Sequence, residues 1–377
     1  MTRVAVLHNI ISPHVVPLFQ RLARQPDIDL KVYFLAASDL NRRWQSTIGD
    51  SFRYTVLPHR AIRVGRRDMH TFFINPTVLT ELSRDGFDVI VSAGWDSFAA
   101  LASFAMCKLQ CKPFVLWSGS TINEPSWRRT LTLPLVRCVV RGSDACIAYG
   151  TRAREYLVHL GARTECIHIA YNTVDVEWFR ERNTELRPRR FDLRRQLGIA
   201  DGPVVLYVGQ LIERKGAQDL LVAHEFIVQQ QPASQTVLVG YGRLEAELRR
   251  RVDDRQIPGV KIVGHVAIAD LPAYYAVADV FALPSREEVW GLVLNEAAAS
   301  SLPLVTTQVV GAAADLVIPD ENGCMVPPAS PRKLASALLH ALADRERMGA
   351  ASRKIVAGMT YEQNVRAIVA AIAAAWR

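Results

Sequence analysis

The chain has 377 residues, of which 50% are hydrophobic and 22% charged, and its formal net charge is +8. This length favours two domains over a single core, and the composition excludes a disordered chain. No apolar run reaches the ~20 residues of a membrane-spanning helix, and the first residues, MTRVAVLHNI, lack the pattern of a signal peptide. We therefore expect a cytoplasmic protein.

The first half alternates short apolar runs with amphipathic stretches. Runs that are apolar along their whole length are typical of strands buried on both faces. Such strands are predicted at residues 4–8, 30–36, 88–94, 114–119 and 145–150. Helices are predicted between them at 13–24, 76–84, 97–109, 127–141 and 151–160. This alternation predicts a doubly wound parallel sheet.

Residues 180–202 interrupt the alternation. They are polar and basic with little apolar periodicity, so we expect a connection between domains. The pattern then restarts with strands predicted at 204–209, 236–240, 260–264, 279–285 and 303–307. Helices are predicted at about 215–231, 243–254, 270–277 and from 291. A second sheet of the same kind follows, and ligands of such sheets bind beyond the carboxyl ends of the strands.

The charge is unevenly distributed. Residues 1–168 hold 21 Lys and Arg against 13 Asp and Glu, whereas residues 169–377 hold 24 of each. A basic face suits nucleic acid, anionic lipid or a phosphorylated substrate, and an arginine-rich surface without a partner is an equal alternative. The six cysteines show no paired zinc-ligand spacing, so we expect reduced thiols and no metal site.

Glycines end or follow strands of the second half, where the backbone must turn tightly or approach a ligand. Gly209 ends one strand, and Gly240 and Gly242 follow the next. Gly240 and Gly242 do not complete a dinucleotide-binding motif, because Glu245 stands where its third glycine would be. The chain also has no P-loop motif. These loops are therefore candidates for ligand contact without a dinucleotide signature.

The segment PSREEVWGLVLNEAAASSLPLV places two carboxylates around a predicted helix start. The amides of Gly291, Leu292 and Val293 at that start can bind a phosphate, because a helix N-terminus carries partial positive charge. Glu296 lies one turn deeper on the face of Leu292 and can accept two ribose hydroxyls. An ordinary preference of acids for helix starts explains Glu288 equally well, but it does not explain Glu296 in an apolar helix.

Two cations, Arg214 and Lys215, open the helix that follows the strand at 204–209. Cations at a helix start oppose the helix dipole unless an anion lies beside them. We interpret the two residues as a diphosphate site, and exposed surface charge is the alternative interpretation.

These motifs resemble the retaining glycosyltransferases of family four, which have the GT-B fold. Glu288 and Glu296, separated by seven residues, are similar to the paired-glutamate signature of that family, and VLYVGQLIERKGAQDLL resembles its first donor-domain loop. The resemblance is specific over about residues 145–377 and loose before them.

The resemblance implies two Rossmann-like doubly wound domains facing a cleft. An acceptor-binding domain is expected at 1–170 and a nucleotide-sugar donor-binding domain at 171–360. The last helix, 361–377, is expected to pack back on the first domain.

The resemblance also implies the roles of the site residues. The catalytic residues would be Glu288, Lys215 and Arg214, with the two cations on the diphosphate and Glu288 on the donor sugar. Glu296 would bind the ribose. Further donor contacts are implied for Gly209, Gln210, Gly240, Gly242, His265, Val266, Gly291, Leu292 and Val293. Such enzymes need no metal and no cofactor besides the UDP- or GDP-sugar that serves as co-substrate.

Two positions depart from the family pattern. Gln210 stands where the family often has a phosphate-binding Arg, so the neighbouring cations carry more of the charge. The loop after the strand that ends near Ser118 lacks the His of many relatives. The acceptor-side candidates are therefore His14, Asp96, Ser118 and Glu124. A front-face reaction, in which the leaving phosphate accepts the proton, needs no separate base.

The acceptor is predicted from the basic half. Eight arginines lie in one loop or flank the apolar stretch LTLPLV at 131–136: Arg60, Arg63, Arg66, Arg67, Arg128, Arg129, Arg137 and Arg141. An apolar patch edged by cations is typical of interfacial membrane contact. We expect peripheral association with the inner membrane face, a lipid-linked acceptor of cell-surface polysaccharide synthesis and no nucleic acid partner. A buried helix with arginines at its solvent edge is an equal alternative.

Other functions within and outside this fold remain as alternatives. They are a GT-B sugar-nucleotide epimerase, a phosphorylase, a glycosyltransferase with a soluble acceptor, and a two-lobed sugar-binding protein without catalysis. A phosphorylase needs a lysine that carries pyridoxal phosphate, and no such site is found. A sugar-binding protein has no use for an Arg-Lys pair directed at a phosphate.

Overall fold

The computed structural model describes residues 1–38, 48–64, 70–124 and 127–376, with only the backbone of residues 63, 64, 70 and 127–130. The chain divides into two compact units. One comprises Met1–Asn172 with Tyr361–Arg377, and the other comprises Thr173–Thr360.

The first unit contains a parallel sheet of seven strands in the order β3-β2-β1-β6-β7-β8-β9. The strands are β1 (Thr2–Ile10), β2 (Ile28–Ala36), β3 (Arg53–Val56), β6 (Val89–Ala93), β7 (Phe114–Ser118), β8 (Ala145–Ala148) and β9 (Ile167–Ile169). A separate antiparallel pair is formed by β4 (Arg60–Val64) and β5 (His70–Ile74). The helices are α1 (Val16–Leu22), α2 (Val78–Asp85), α3 (Phe98–Leu109), α4 (Trp127–Gly142) and α5 (Thr151–Leu160).

Apolar clusters cover both faces of this sheet. Successive side chains of a strand point to opposite faces, and in β1 the residues Val4 and Val6 enter one buried cluster whereas Ala5 and Leu7 enter the other. A strand that must satisfy two cores has no polar face, which is why these strands appear in the sequence as continuous apolar runs.

The second unit contains a parallel sheet of six strands in the order β12-β11-β10-β13-β14-β15. The strands are β10 (Val204–Val208), β11 (Gln235–Val239), β12 (Val260–Gly264), β13 (Val280–Leu283), β14 (Leu304–Thr307) and β15 (Gly323–Val326). The helices are α6 (Val176–Leu186), α7 (Arg190–Gln196), α8 (Ala217–Gln230), α9 (Glu245–Asp254), α10 (Leu271–Val277), α11 (Leu292–Ala299), α12 (Ala313–Leu316), α13 (Pro331–Ala343) and α14 (Arg345–Val356).

Both sheets have a point where the strand order reverses. In the second unit the order runs outward from β10 in one direction and from its neighbour β13 in the other. This is the Rossmann arrangement, in which ligands bind beyond the carboxyl ends of the two strands at the reversal. The predicted fold class of two Rossmann-like doubly wound domains is confirmed.

The last helix, α15 (Tyr361–Ala374), belongs to the first unit. Its Tyr361 hydroxyl donates to the His14 carbonyl at 2.9 Å, and Arg21 donates to Glu362 at 2.7 Å. Its apolar face enters the cluster that lies on one side of the first sheet. The helix therefore contributes to the first core although some 190 residues of chain separate it from β9.

The segment 180–202 corrects a prediction. It was predicted to connect the domains, but α6 and α7 cover much of it and it belongs to the second unit. Some of its arginines contact the two residues after α10: Arg187 donates to the Ala278 carbonyl at 2.6 Å and Arg194 donates to the Asp279 carboxylate at 2.8 Å. Residues that suggested a solvated linker therefore bind a helix C-terminus and a buried acid.

Within the described ranges, no helix combines the length and the apolar composition that a membrane crossing requires.

Candidate functional site

Two loops meet at the carboxyl ends of β10 and β13, where the order of the second sheet reverses. The amide of Arg286 donates to the Arg214 carbonyl at 2.7 Å, and the amide of Glu287 donates to the same oxygen at 3.3 Å. Gly216 has a φ of +71°, and a Cβ there would lie 2.0 Å from the Pro284 carbonyl oxygen. Only glycine permits this approach, so the sequence Arg-Lys-Gly fixes where the first loop touches the second.

Lys215 and Glu288 form an ion pair between the two loops. Their side chains are only 15% and 10% exposed, so the pair is largely shielded from water. The backbone of Glu288 is fixed independently, because its carbonyl accepts from the Gly311 amide at 3.1 Å. The sequence prediction placed these two residues in one site, and the structure brings them into direct contact.

A second ion pair connects the loop after β13 to the helix that follows Lys215. Arg286 donates to both carboxylate oxygens of Asp219, at 2.9 and 2.8 Å. Asp219 is buried in the first turn of α8. This bidentate contact joins the loop that carries Glu288 to the helix that follows Lys215. Neither residue was predicted, because their pairing depends on two elements that are distant in the sequence.

The helix that begins after Glu288 has an uncapped start. Gly291 occupies the N-cap of α11 with a φ of +98°, and no side chain caps the helix. The side chains of Leu292 and Val293 are half-buried. Amides of a first helical turn have no partner within the helix, so this start offers N–H donors beside the Lys215–Glu288 pair.

Glu296 lies inside the same helix and is 4% exposed. One of its oxygens accepts from the Tyr275 hydroxyl at 2.7 Å. Burial raises the pKa of Glu296 to about 7, and the hydrogen bond from Tyr275 opposes this rise. A carboxyl group kept in an apolar helix against this desolvation cost is typical of a functional site.

The glycine loops pack against each other at the same sheet edge. A Cβ at Gly240 would lie 1.8 Å from the Gly209 carbonyl oxygen, and one at Gly242 would lie 2.3 Å from that of Leu211. The Gln210 carbonyl accepts from the Tyr207 hydroxyl at 2.8 Å. The structure therefore explains these glycines by backbone packing, and the prediction that they contact a ligand stays a prediction.

An aromatic pair follows β11 and β12. The rings of Tyr241 and His265 lie 5.3 Å apart between centroids, His265 is exposed and Val266 is half-exposed. His265 and Val266 were predicted to flank a nucleobase, whereas Tyr241 was missed because it was considered only as part of a glycine motif. Arg214 is half-buried in the turn before Gly216.

The acceptor-side candidates belong to the first unit and lie near the carboxyl ends of its strands. His14 follows β1, Asp96 follows β6, Ser118 ends β7 and Glu124 follows it. The Ser118 hydroxyl accepts from the Ser120 amide at 3.2 Å, and Glu124 accepts from the Thr121 amide at 2.7 Å. These local contacts show Ser118 and Glu124 shaping a turn, and Asp96 is exposed.

One further group of possible metal ligands lies around β15, the outer strand of the second sheet. Asp320, Cys324 and His340 place one ligand atom each within 4.8 Å of one another. The exposed His340 and Asp320 already form a contact at 3.3 Å. Exposed groupings of this kind are common without a metal.

Comparisons with known proteins agree with this architecture. The family described as "Glycosyl transferases group 1" matches residues 202–344. HepE of Anabaena, solved in complex with UDP, has a TM-score of 0.76 at 19% identity, over 98% of this chain and 99% of that one. Likeness at that identity shows the fold, which is GT-B.

Two mycobacterial relatives carry the same name, GDP-mannose-dependent alpha-(1-6)-phosphatidylinositol monomannoside mannosyltransferase. The protein of Mycobacterium tuberculosis is 30% identical over 249 residues, which cover 62% of this chain and 63% of that protein. The protein of Mycolicibacterium smegmatis is 31% identical over 309 residues, which cover 77% of this chain and 78% of that protein. The chain therefore belongs to the group 1 glycosyltransferases, the family-four type with the GT-B fold.

Proposed function

We propose that the protein is a retaining glycosyltransferase that moves a sugar from a UDP- or GDP-sugar to an acceptor hydroxyl. The observation that carries this proposal is the shielded Lys215–Glu288 pair at the reversal of the second sheet, with the uncapped start of α11 beside it. A cation and free amides there suit a diphosphate, and a carboxylate beside them suits the attached sugar.

Different residues along the carboxyl ends of the second sheet would contact the phosphates, the ribose and the base of the donor. Lys215 has three N–H donors, so it can keep its contact with Glu288 and also donate to a phosphate oxygen. Arg214 and the amides of Leu292 and Val293 would complete the phosphate contacts. Glu296 would accept the ribose hydroxyls, and His265 and Val266 would flank the base.

The proposed reaction needs no protein base. The bond between the anomeric carbon and the phosphate oxygen breaks, and the electron pair leaves with the nucleoside diphosphate. The acceptor oxygen bonds to the anomeric carbon on the same face, and its proton passes to the departing phosphate oxygen. Lys215 and Arg214 would stabilise the charge that develops on that phosphate. Neither metal nor cofactor enters this scheme.

For the acceptor we propose a lipid-linked glycan of cell-surface polysaccharide synthesis. By their names, the two mycobacterial relatives act on phosphatidylinositol monomannoside, and the whole charge excess of this chain lies in residues 1–168. A soluble acceptor that carries phosphate is the alternative that the same charge favours.

The membrane contact is proposed for an exposed stripe of α4. Leu131 and Leu135 are 72% and 50% exposed, and Pro134 and Cys138 are exposed on the same face. The opposite face of α4, with Val136, is buried, so the helix is apolar on both sides. An exposed apolar stripe on a basic unit suits the boundary of an anionic membrane.

The eight predicted arginines are described only in part, and Arg60 and Arg63 lie on β4, not in a loop. Arg60 and Arg141 are exposed, and Arg137 is half-buried. The side chains of Arg63, Arg128 and Arg129, and the whole of Arg66 and Arg67, lie outside the described residues. Under the proposal the described cations attract the membrane at its inner, cytoplasmic face.

Two experiments test these proposals. The first incubates the protein with UDP- and GDP-sugars and a lipid-linked or phosphorylated acceptor, and measures nucleoside diphosphate release and the anomeric configuration of the product. An inverted product refutes the retaining mechanism. Free nucleoside diphosphate without sugar transfer indicates hydrolysis, and an isomerised nucleotide sugar indicates an epimerase.

The second experiment is co-sedimentation with vesicles of anionic lipid. We expect binding that falls at high salt and in Leu135→Asp, but not in the control Leu109→Asp, whose side chain is 86% exposed on α3. If the two variants bind the vesicles equally, the proposed membrane contact of α4 is refuted. Efficient transfer to a soluble acceptor without vesicle binding refutes the membrane proposal and leaves the glycosyltransferase.

A further inference from the structure

The hydroxyl of Tyr275 has one described partner, the carboxylate of Glu296. Tyr275 is completely buried in α10, and its hydroxyl donates to Glu296 at 2.7 Å. The two residues come from different helices that flank β13 in the sequence. A buried tyrosine needs a partner for its hydroxyl, and here that partner is the carboxylate proposed to bind ribose.

Aromatic rings fix the position of this tyrosine. Phe179 of α6 meets the Tyr275 ring edge-to-face at 5.8 Å between centroids. Phe281 of β13 lies 6.0 Å away on a tilted contact. Both phenylalanines are buried. Because these buried contacts hold the side chain in one position, the place of its hydroxyl oxygen is set by the packing of α6, α10 and β13.

We propose that Tyr275 is a positioning residue for the donor: its hydroxyl holds the Glu296 carboxylate in the orientation in which it accepts the hydroxyls of the ribose. This inference rests on the proposed function, because it takes Glu296 as the ribose ligand. It makes no claim that Tyr275 itself touches the donor.

The number of lone pairs supports this arrangement. A carboxylate offers about four acceptor sites, and Tyr275 uses one of them, on Oε2. The remaining sites suffice for two vicinal hydroxyls. Orientation matters because a free carboxylate would rotate, whereas one held by a fixed donor is already arranged for its ligand.

The charge state of Glu296 also affects how it accepts the ribose hydroxyls. A protonated carboxyl group is a donor at one oxygen and can no longer accept from two hydroxyls with both oxygens. Burial raises the pKa of Glu296, and the tyrosine hydrogen bond is the contribution that lowers it. Loss of the hydroxyl therefore disorients the carboxyl group and also favours its neutral form.

Tyr275→Phe removes only the hydroxyl, and Tyr274→Phe on the same helix is the matched control. The probes are UDP, GDP and their 2′-deoxy forms, with dissociation constants measured by calorimetry. We expect wild type and Tyr274→Phe to bind the better ribonucleotide about tenfold more tightly than its deoxy form. In Tyr275→Phe the ratio of the two dissociation constants should approach one. The KM for donor should rise while kcat at saturating donor changes less than about twofold.

A combined variant separates positioning from general destabilisation. If Tyr275 acts through Glu296, adding Tyr275→Phe to Glu296→Ala should change the dissociation constants no further. A further loss in the double variant would show a merely structural role and would overturn the inference. So would an unchanged ribose preference in Tyr275→Phe when Glu296→Ala has lost it, although the proposed function would survive. If Glu296→Ala keeps the wild-type preference, the ribose assignment itself fails.

Discussion

Asp279 provides a sharp test of how the second unit is stabilised. It is 3% exposed and accepts from Arg190 at 2.7 Å, from Arg194 at 2.8 Å and from the Val204 amide at 2.9 Å. Arg345 approaches it at 3.4 Å. Burial alone would raise the pKa of Asp279, but the contacts with Arg190 and Arg194 outweigh it and lower the pKa. Asp279→Asn keeps the size of the side chain and removes the charge.

The expected loss can be estimated from these contacts. Removing one member of a buried ion pair costs about 3–5 kcal/mol, because the partner is left without a counter-charge. The guanidinium of Arg194 keeps a carbonyl partner at Val277, at 2.9 Å, so we expect the lower end of that range. For a domain of this size each kcal/mol lowers the melting temperature by about 2–4 °C, which gives roughly 6–12 °C.

Scanning calorimetry of the full chain measures this loss in the transition of the second unit. The control is Glu185→Gln, which breaks the exposed contact of Glu185 with Arg182 in the same stretch of sequence and should cost within about 0.5 kcal/mol. A loss in Asp279→Asn no larger than that of the control would refute the reasoning. It would show that the arginines are satisfied by carbonyls and water.

Three other outcomes are expected. Lys215→Ala and Glu288→Ala should each lower turnover at saturating donor at least about a hundredfold, with circular dichroism unchanged; near-normal turnover in either contradicts the site. Transfer should persist in EDTA, and strict dependence on added Mg²⁺ or Mn²⁺ would contradict the metal-free scheme. Burial lowers the pKa of His8 to about 4. The free energy of unfolding should therefore fall by about 3 kcal/mol as the pH drops from about 6.5 to 4, because His8 binds a proton more tightly in the unfolded chain than in the folded one. Urea titrations of wild type and His8→Phe at successive pH values test this, and an equal slope in both contradicts it.

Strands with two buried faces were the predictable part of the fold. β7 and β10, which are buried along their whole length, begin where the apolar pattern predicts and end one residue earlier, because a core on each side leaves little choice of residue. β3 and β4 were not predicted, since Arg53, Tyr54 and Arg60 are exposed. Their pairing is set by neighbours that are distant in the sequence, and their own composition does not distinguish them from loops.

The position of the candidate site was predictable from the sequence, but many of its side-chain contacts were not. The rule that ligands bind at the carboxyl ends of parallel strands predicts that the loops after β10 and β13 meet, and Lys215 and Glu288 do meet there. Contacts across elements were missed. Tyr275 reaches Glu296 and Arg286 reaches Asp219 through side-chain directions, which a helical or strand period does not specify.

The charge distribution gives the two halves of the chain different means of attracting anions. In residues 169–377 cations and acids are equal in number, and Lys215 and Arg286 each hold a carboxylate. A half so balanced exerts little long-range attraction on a diphosphate. Under the proposed function, donor affinity must therefore arise at contact distance, from the amides of α11 and the ammonium group of Lys215. The first half has a surplus of eight positive charges, and such a surplus acts over about a Debye length. Salt should therefore weaken capture of an anionic acceptor much more than binding of the donor.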